Sequence, residues 1–353
     1  MQTVVVTGSS GLIGNEAARF FYNKGFRIVG IDNDMRSYFF GEAASTKPTL
    51  AKLQKDLPSY IHFSTDIRNI EDLNKIFSEY SSSIRAVIHT AAQPSHDWAA
   101  KEPLTDFGIN ATGTLNLLET TRKYSPNAVF IFTSTNKVYG DSPNFLPLIE
   151  TDTRWEVDPS HPFAKYGIDE TMTIDQSKHS VFGAGKVAAD VMVQEYGRYF
   201  GIKTGIFRGG CLTGPAHAGA ELHGFLAYLI LCTIQHKPYK IFGYKGKQVR
   251  DNIHSYDVAR FIDEFLKAPR IAEVYNIGGG KANTCSILEA FDIISDISGI
   301  PMQYEYRVEN RIGDHICYYS DLTKMKAHYP DWDITKSLKQ TFEEIYQSWQ
   351  KRN

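Results

Sequence analysis

One short segment constrains the fold more than any other. Thr3-Val4-Val5-Val6 is a β-branched run that leads directly into Thr7-Gly8-Ser9-Ser10-Gly11-Leu12-Ile13-Gly14, and then into a helical pattern carrying Ala17, Ala18, Phe20 and Phe21. A strand, a glycine turn and a helix in that order form half of a parallel crossover. Gly8 permits the tight turn, Gly11 lets the backbone approach a phosphate, and Gly14 lets helix and strand pack closely. The pattern then repeats. Phe26 to Ile31, Tyr60 to Phe63, Ala86 to His89 and Val129 to Phe132 read as short buried strands, with helical spacing over Ile70 to Tyr80 and Thr112 to Tyr124. This alternation predicts an α/β protein, a Rossmann-type doubly wound parallel sheet with helices on both faces.

The turn at 8–14 opens a helix, so an anion there would meet the positive end of the helix dipole. Asp32 follows at the end of the second strand, about 20 residues on, as the dinucleotide fingerprint requires. A carboxylate at that place accepts hydrogen bonds from a ribose 2′-hydroxyl and repels a 2′-phosphate, which favours NAD over NADP. Asp66-Ile67, after the third strand, is expected beside the adenine.

Gly140 to Ser180 is long, polar and without a clear period, the mark of a functional loop. A helix is expected from Lys186 to Phe200, closed by Gly201, and a strand over Thr204 to Phe207. Beyond Arg208 the pattern loosens into a helix near Phe225 to Gln235, short strands, and an amphipathic C-terminal helix carrying Leu338, Phe342, Ile345 and Trp349. The expected division is 1–208 for NAD, with an insertion around 141–180, and 209–353 as a smaller C-terminal α/β substrate lobe. Some segments of that lobe are expected to return to the first domain.

Composition removes other classes. A formal net charge of −2 offers no basic field for a nucleic-acid backbone. Of the four cysteines none stands in a C-x-x-C pair, so no metal site or disulfide scaffold is indicated. The longest apolar run, Gly224 to Cys232, falls far short of the ~20 residues that span a bilayer. A strand begins at once, which leaves no room for a leader. A cytoplasmic protein with no membrane partner is expected.

With His89-Thr90-Ala91-Ala92-Gln93-Pro94 and Asn110-Ala111-Thr112-Gly113-Thr114 added to the glycine turn, the chain resembles the extended short-chain dehydrogenases/reductases that act on nucleotide sugars. Three segments are similar to the CDP-paratose 2-epimerase family, also called CDP-tyvelose 2-epimerases. They are Gln93-Pro94-Ser95-His96-Asp97-Trp98, Ser134-Thr135-Asn136-Lys137-Val138-Tyr139-Gly140 and Gly246-Lys247-Gln248-Val249-Arg250-Asp251, and the long insertion before Lys186 is similar too.

The resemblance implies a CDP-sugar substrate, transient hydride transfer to NAD, and a homo-oligomer (dimer or tetramer). It implies that Thr135 bonds the sugar hydroxyl being oxidised, with His96 and Asn136 close to the sugar. Lys186 would hold the nicotinamide ribose, and Arg250 and Arg311 would grip the diphosphate. Guanidinium suits that task, being planar, bidentate and permanently charged. Cofactor contacts are expected from Gly8, Ser10, Gly11, Leu12, Ile13 and Gly14 at the turn, and from Asp32, Asn33, Arg36, Asp66 and Ile67 around the adenosine. Thr90, Ala91, Ala92, Gln93, Asn110 and Thr133 complete the set.

One position departs from the family. Such enzymes carry Tyr-x-x-x-Lys, whose phenolate removes the hydroxyl proton; here the segment is Phe182-Gly183-Ala184-Gly185-Lys186. Phe182 keeps the ring and loses the acid/base group, a deletion that raises the barrier by roughly 3–5 kcal/mol if nothing replaces it. Lys186, Lys137, His96, His217, Glu221 and Cys211 are candidates to take over the proton, with Lys186 first and Lys137 second. Tyr199-x-x-x-Lys203 matches the same pattern but lies at the far end of the helix, and is expected to be a decoy.

An NAD-dependent nucleotide-sugar 2-epimerase is therefore the leading expectation. A 4-epimerase or 4,6-dehydratase with a substituted base is the second, although Asn136-Lys137 cannot supply the Asp-Glu pair that dehydration uses. A non-catalytic NAD(H)-binding protein is the third. A methyltransferase would leave Thr135 and Lys186 together unexplained.

Overall fold

The computed structural model describes residues 1–217, 224–311 and 313–351. The six strands expected from the sequence and a seventh, Glu273–Ile277, form one sheet. Its order is Glu273–Ile277, Thr204–Gly209, β5 (Val129–Thr135), β4 (Ile84–His89), β1 (Thr3–Thr7), β2 (Arg27–Ile31) and β3 (Ile61–Phe63). β1 pairs in parallel with β2 and β4, and β4 with β5. The order turns outward on both sides of β1, and α/β sheets bind ligands at such a switch point.

The core follows from side-chain alternation. Val5, Val29, Val87 and Phe130 share one face and are fully buried with Phe77, Leu117 and Val193 from the helices Ile70–Tyr80, Gly113–Tyr124 and Ser180–Phe200. Asn69 caps the first of these helices, accepting from the Asp72 N–H. The second is preceded by a π-helical turn, Gly108–Thr112. The third begins at Ser180, six residues before the expected start, and so takes Phe182, Gly183 and Gly185 into the helix.

The chain divides into two compact units. The first comprises Met1–Val138, Val181–Arg208 and Val258–Tyr275; the second comprises Tyr139–Ser180, Gly209–Asp257 and Asn276–Asn353. The 141–180 stretch is thus grouped with the later residues rather than with the sheet. It carries a small hairpin, Leu148–Glu150 with Trp155–Val157, and the helical turn Phe163–Tyr166. In the second unit, Leu226, Ile230, Ile294, Phe342 and Ile345 bury the facing sides of the helices Phe225–Ile234, Ile287–Ser298 and Leu338–Gln350. Ser286 with Glu289, and Ser337 with Gln340, form capping boxes at the last two. No helix among the described residues is long and apolar enough to cross a membrane.

Candidate active site

The glycine turn links β1 to the helix α1 (Leu12–Asn23). Gly8 adopts φ +65°, and a Cβ there would lie 2.8 Å from the Ala91 nitrogen. A Cβ on Gly14 would lie 2.1 Å from the Gly8 carbonyl oxygen, so residue 14 admits no side chain. Gly11 caps α1 in an extended conformation without a side-chain hydrogen bond, and no acid occupies the first turn. The first N–H groups of α1 are therefore not capped by a side chain, as an anion site requires. The Ser10 hydroxyl is buried beside them with no protein partner. These features fit a dinucleotide pyrophosphate. Leu12 and buried Ile13 form the start of the helix.

Asp32 accepts hydrogen bonds from the Ser10 N–H at 3.0 Å and the Asp34 N–H at 2.9 Å. Burial nevertheless raises its pKa above the usual carboxylate value. Asn33 donates to Asp66 at 3.1 Å, and Arg68 grips both oxygens of Asp66, which stays ionised under these bonds. Ile67 is buried, and a Cβ on Gly113 would lie 2.6 Å from it. The Arg36 guanidinium lies 4.9 Å above the Phe40 ring, and burial lowers its pKa to about 10.

β4 ends in a rigid clamp. His89 is buried and bonds Thr7 at 2.7 Å and Thr114 at 2.9 Å; burial draws its pKa to about 3, so it stays neutral. Thr90 donates to the Thr7 carbonyl, and the Ala91 N–H to the Thr7 hydroxyl, which holds Ala91 against Gly8 of the turn. The Gln93 and Asn110 side chains are satisfied within the protein: both donate to Asp106 Oδ1 at 2.9 Å. Gln93 Oε1 accepts from the Ser95 N–H, and Asn110 also donates to the Gln93 carbonyl.

Lys186 is buried on the helix Ser180–Phe200. Its Nζ donates to the Thr133 carbonyl at 3.2 Å and lies 4.7 Å above the Phe132 ring, both on β5. Burial draws its pKa down to about 8, against the opposing pull of Asp106 and Asp190. Asp190 is held by Arg208 and by the Ser134 hydroxyl at 2.6 Å, a buried network that the sequence motifs do not announce.

Phe182, one helical turn before Lys186, is 6% exposed and packs edge-to-face on His96 with ring centroids 4.9 Å apart. Thr135 ends β5, and its hydroxyl accepts from the Lys137 N–H at 3.2 Å; buried Asn136 and half-buried Lys137 begin the 3₁₀ turn that follows. Among the proton candidates, Lys186, Lys137 and His96 thus belong to the first unit. Cys211 and His217 belong to the second, and Glu221 lies outside the described residues. Tyr199 is 81% exposed at the far end of its helix, which leaves it no part in the site.

Arg250 and Arg311 both lie in the second unit. Both act electrostatically on the buried Tyr239 phenol, whose pKa burial raises, and Arg250 lies 3.7 Å from Asp314.

Comparison with known proteins identifies the class. Residues 4–278, more than half of the chain, match the model of the NAD dependent epimerase/dehydratase family, and the chain belongs to that family. NAD is accordingly its cofactor. The chain is 30% identical to CDP-paratose 2-epimerase of Salmonella typhi, over 97% of this chain and 98% of that one. It is 29% identical to UDP-glucuronate 4-epimerase of Thermodesulfobacterium geofontis, over 99% and 96%. In fold it is similar to UDP-glucuronic acid 4-epimerase from Bacillus cereus in complex with UDP-glucuronic acid and NAD, with a TM-score of 0.80, 24% identity and 100% of each chain covered.

Proposed function

We propose that this chain is an NAD-dependent 2-epimerase of a CDP-sugar in which Lys186 handles the proton. The observation that carries the choice of sugar nucleotide is the similarity to CDP-paratose 2-epimerase along 97% of the chain. The nearly equal identity to a UDP-glucuronate 4-epimerase sustains a second reading, 4-epimerisation of a UDP-sugar.

The glycine turn and the start of α1 would hold the pyrophosphate, Asp32 a ribose hydroxyl, and Lys186 the nicotinamide ribose. NAD, when bound, supplies reversible hydride acceptance at the sugar carbon. The Thr135 hydroxyl orients the sugar oxygen. Phe182 fills the place of a phenol and can neither take nor give a proton. Lys186 has the chemistry for the task, because burial brings its amine within reach of neutral pH. It takes the hydroxyl proton as the carbonyl forms and returns it when the opposite face is reduced. Asn136-Lys137 offers no carboxylate pair, which argues against dehydration.

The test is incubation of the NAD-loaded protein with CDP-, UDP- and GDP-sugars, resolving epimers chromatographically. Turnover confined to the CDP-sugar is expected. Arg250→Ala and Arg311→Ala should each weaken its binding by ~1.5–3 kcal/mol, the worth of a charge-assisted bond to the diphosphate. Turnover of UDP-sugars alone, or unchanged affinity in both variants, overturns the assignment.

A further inference from the structure

Asp106 has no place in the sequence motifs, yet it is fully buried and acts electrostatically on Lys186. Its Oδ1 accepts from Gln93 and Asn110, each at 2.9 Å. Its Oδ2 is equally buried and has no hydrogen-bond partner. That oxygen is directed at the helix carrying Lys186: a Cβ built on Gly185 would stand 3.2 Å from it. A buried, half-satisfied carboxylate is costly to keep, and it persists where its charge has a use. Gln93 and Asn110 hold one oxygen still; the other, facing Gly185, is left without a hydrogen bond.

We propose that Asp106 is a positioning residue that sets the proton affinity of Lys186 through its buried, unpaired oxygen. This rests on Lys186 as the proton acceptor. The proton leaves the sugar hydroxyl for the neutral Lys186 amine, which becomes an ammonium, while the carbon gives its hydride to NAD; the return step reverses both. Asp106 forms and breaks no bond. Its negative charge favours the ammonium and so lets Lys186 retain the proton while the sugar is a ketone.

Other charges face Lys186 as well. Asp190, on the same helix, is bound by Arg208 and Ser134, and His89, on β4, is neutral. Burial pushes the Asp106 carboxyl up to about 6, against the opposing pull of Lys186, Asn110 and Gln93, so it is ionised when Lys186 titrates near 8.

The experiment follows Lys186 directly in the NAD-loaded protein labelled with [ε-¹³C]lysine, its resonance assigned by its loss in Lys186→Met. Asp106→Asn, which keeps the shape and the Oδ1 acceptor, should lower the Lys186 midpoint by about one pH unit. The limb of kcat against pH should move to lower pH with it. Gly185→Ala presses a methyl onto Oδ2, disfavours the anion, and should move both in the same direction; it carries the test if Asp106→Asn does not fold. A midpoint unchanged in the folded variants overturns the proposal, and a lowered kcat with both the midpoint and the limb unmoved marks Asp106 as structural only. A resonance that shifts while the rate limb does not leaves the hold of Asp106 on Lys186 standing. That result overturns instead the assignment of the proton to Lys186.

Discussion

Replacing Lys186 with methionine is expected to lower kcat for the CDP-sugar by roughly 10²–10⁴-fold, the span that general acid–base catalysis contributes. The size follows from the groups proposed to surround the reacting hydroxyl. Phe182 brings only ring carbon, packed on His96, to the place where the family resemblance implies a phenol. Lys186 is the buried amine of the first unit, anchored on the Thr133 carbonyl and drawn down to about 8. Methionine keeps the length and apolar bulk of the side chain and removes the proton site. Lys137→Met leaves the anchored amine in place and should cost far less. Because Lys186 also stands to hold the nicotinamide ribose, NAD affinity has to be measured on the same variant. A fall confined to NAD binding, with kcat kept at saturating NAD, contradicts the assignment. So does an inert starting protein in which Phe182→Tyr gains activity by orders of magnitude.

Gly14→Ala is expected to reduce NAD affinity by about 100-fold or more. The added methyl would stand 2.1 Å from the Gly8 carbonyl oxygen, a backbone atom that cannot swing aside. Either α1 moves away from β1 or the turn opens, and both displace the N–H groups proposed to receive the phosphates; overpacking of this kind also costs ~1–3 kcal/mol of stability. Gly25→Ala is the control. Its φ of +85° costs alanine about 1 kcal/mol of stability, within the range of the overpacking cost at Gly14, but nothing lies within 4 Å of the new Cβ. Calorimetric titration with NAD should separate the two variants. Equal affinities would mean that the turn is structural.

The strands and the glycine turn were legible because their signals are local. Short continuous apolar runs, buried on both faces, glycines at fixed offsets and a carboxylate at the next strand end need no tertiary knowledge. The helix Ser180–Phe200 was harder to bound, since Gly183 and Gly185 weaken its first turns and packing against the sheet restores them. Helices over Met35–Phe40 and Lys47–Asp56 escape a reading by apolar period, because the first buries no residue fully and the second only Leu53. The helix Ser255–Lys267 is different: Val258, Phe261, Ile262 and Phe265 stand at helical spacing, a signal that the expectation of a loose pattern beyond Arg208 passes over.

In the site, Lys186 and Phe182 could be found from one helix motif. Asp106 could not. Its spacing of four from Asn110 is visible, but its role depends on Gln93 and on the helix at Gly185, which only the fold brings near. The fall in the Lys186 pKa comes from burial, which a motif read along one helix does not show.

The most direct measurement is the fate of a deuterium placed on C2 of the CDP-sugar, followed by NMR as the NAD-loaded protein acts on it in ordinary water. Oxidation and reduction at one carbon, with the hydride never released to solvent, predicts an equilibrium mixture of C2 epimers that both keep the label on C2. Loss of the label to water, inversion at C4 instead, or an unchanged sugar would contradict the assignment of this chain as a CDP-sugar 2-epimerase.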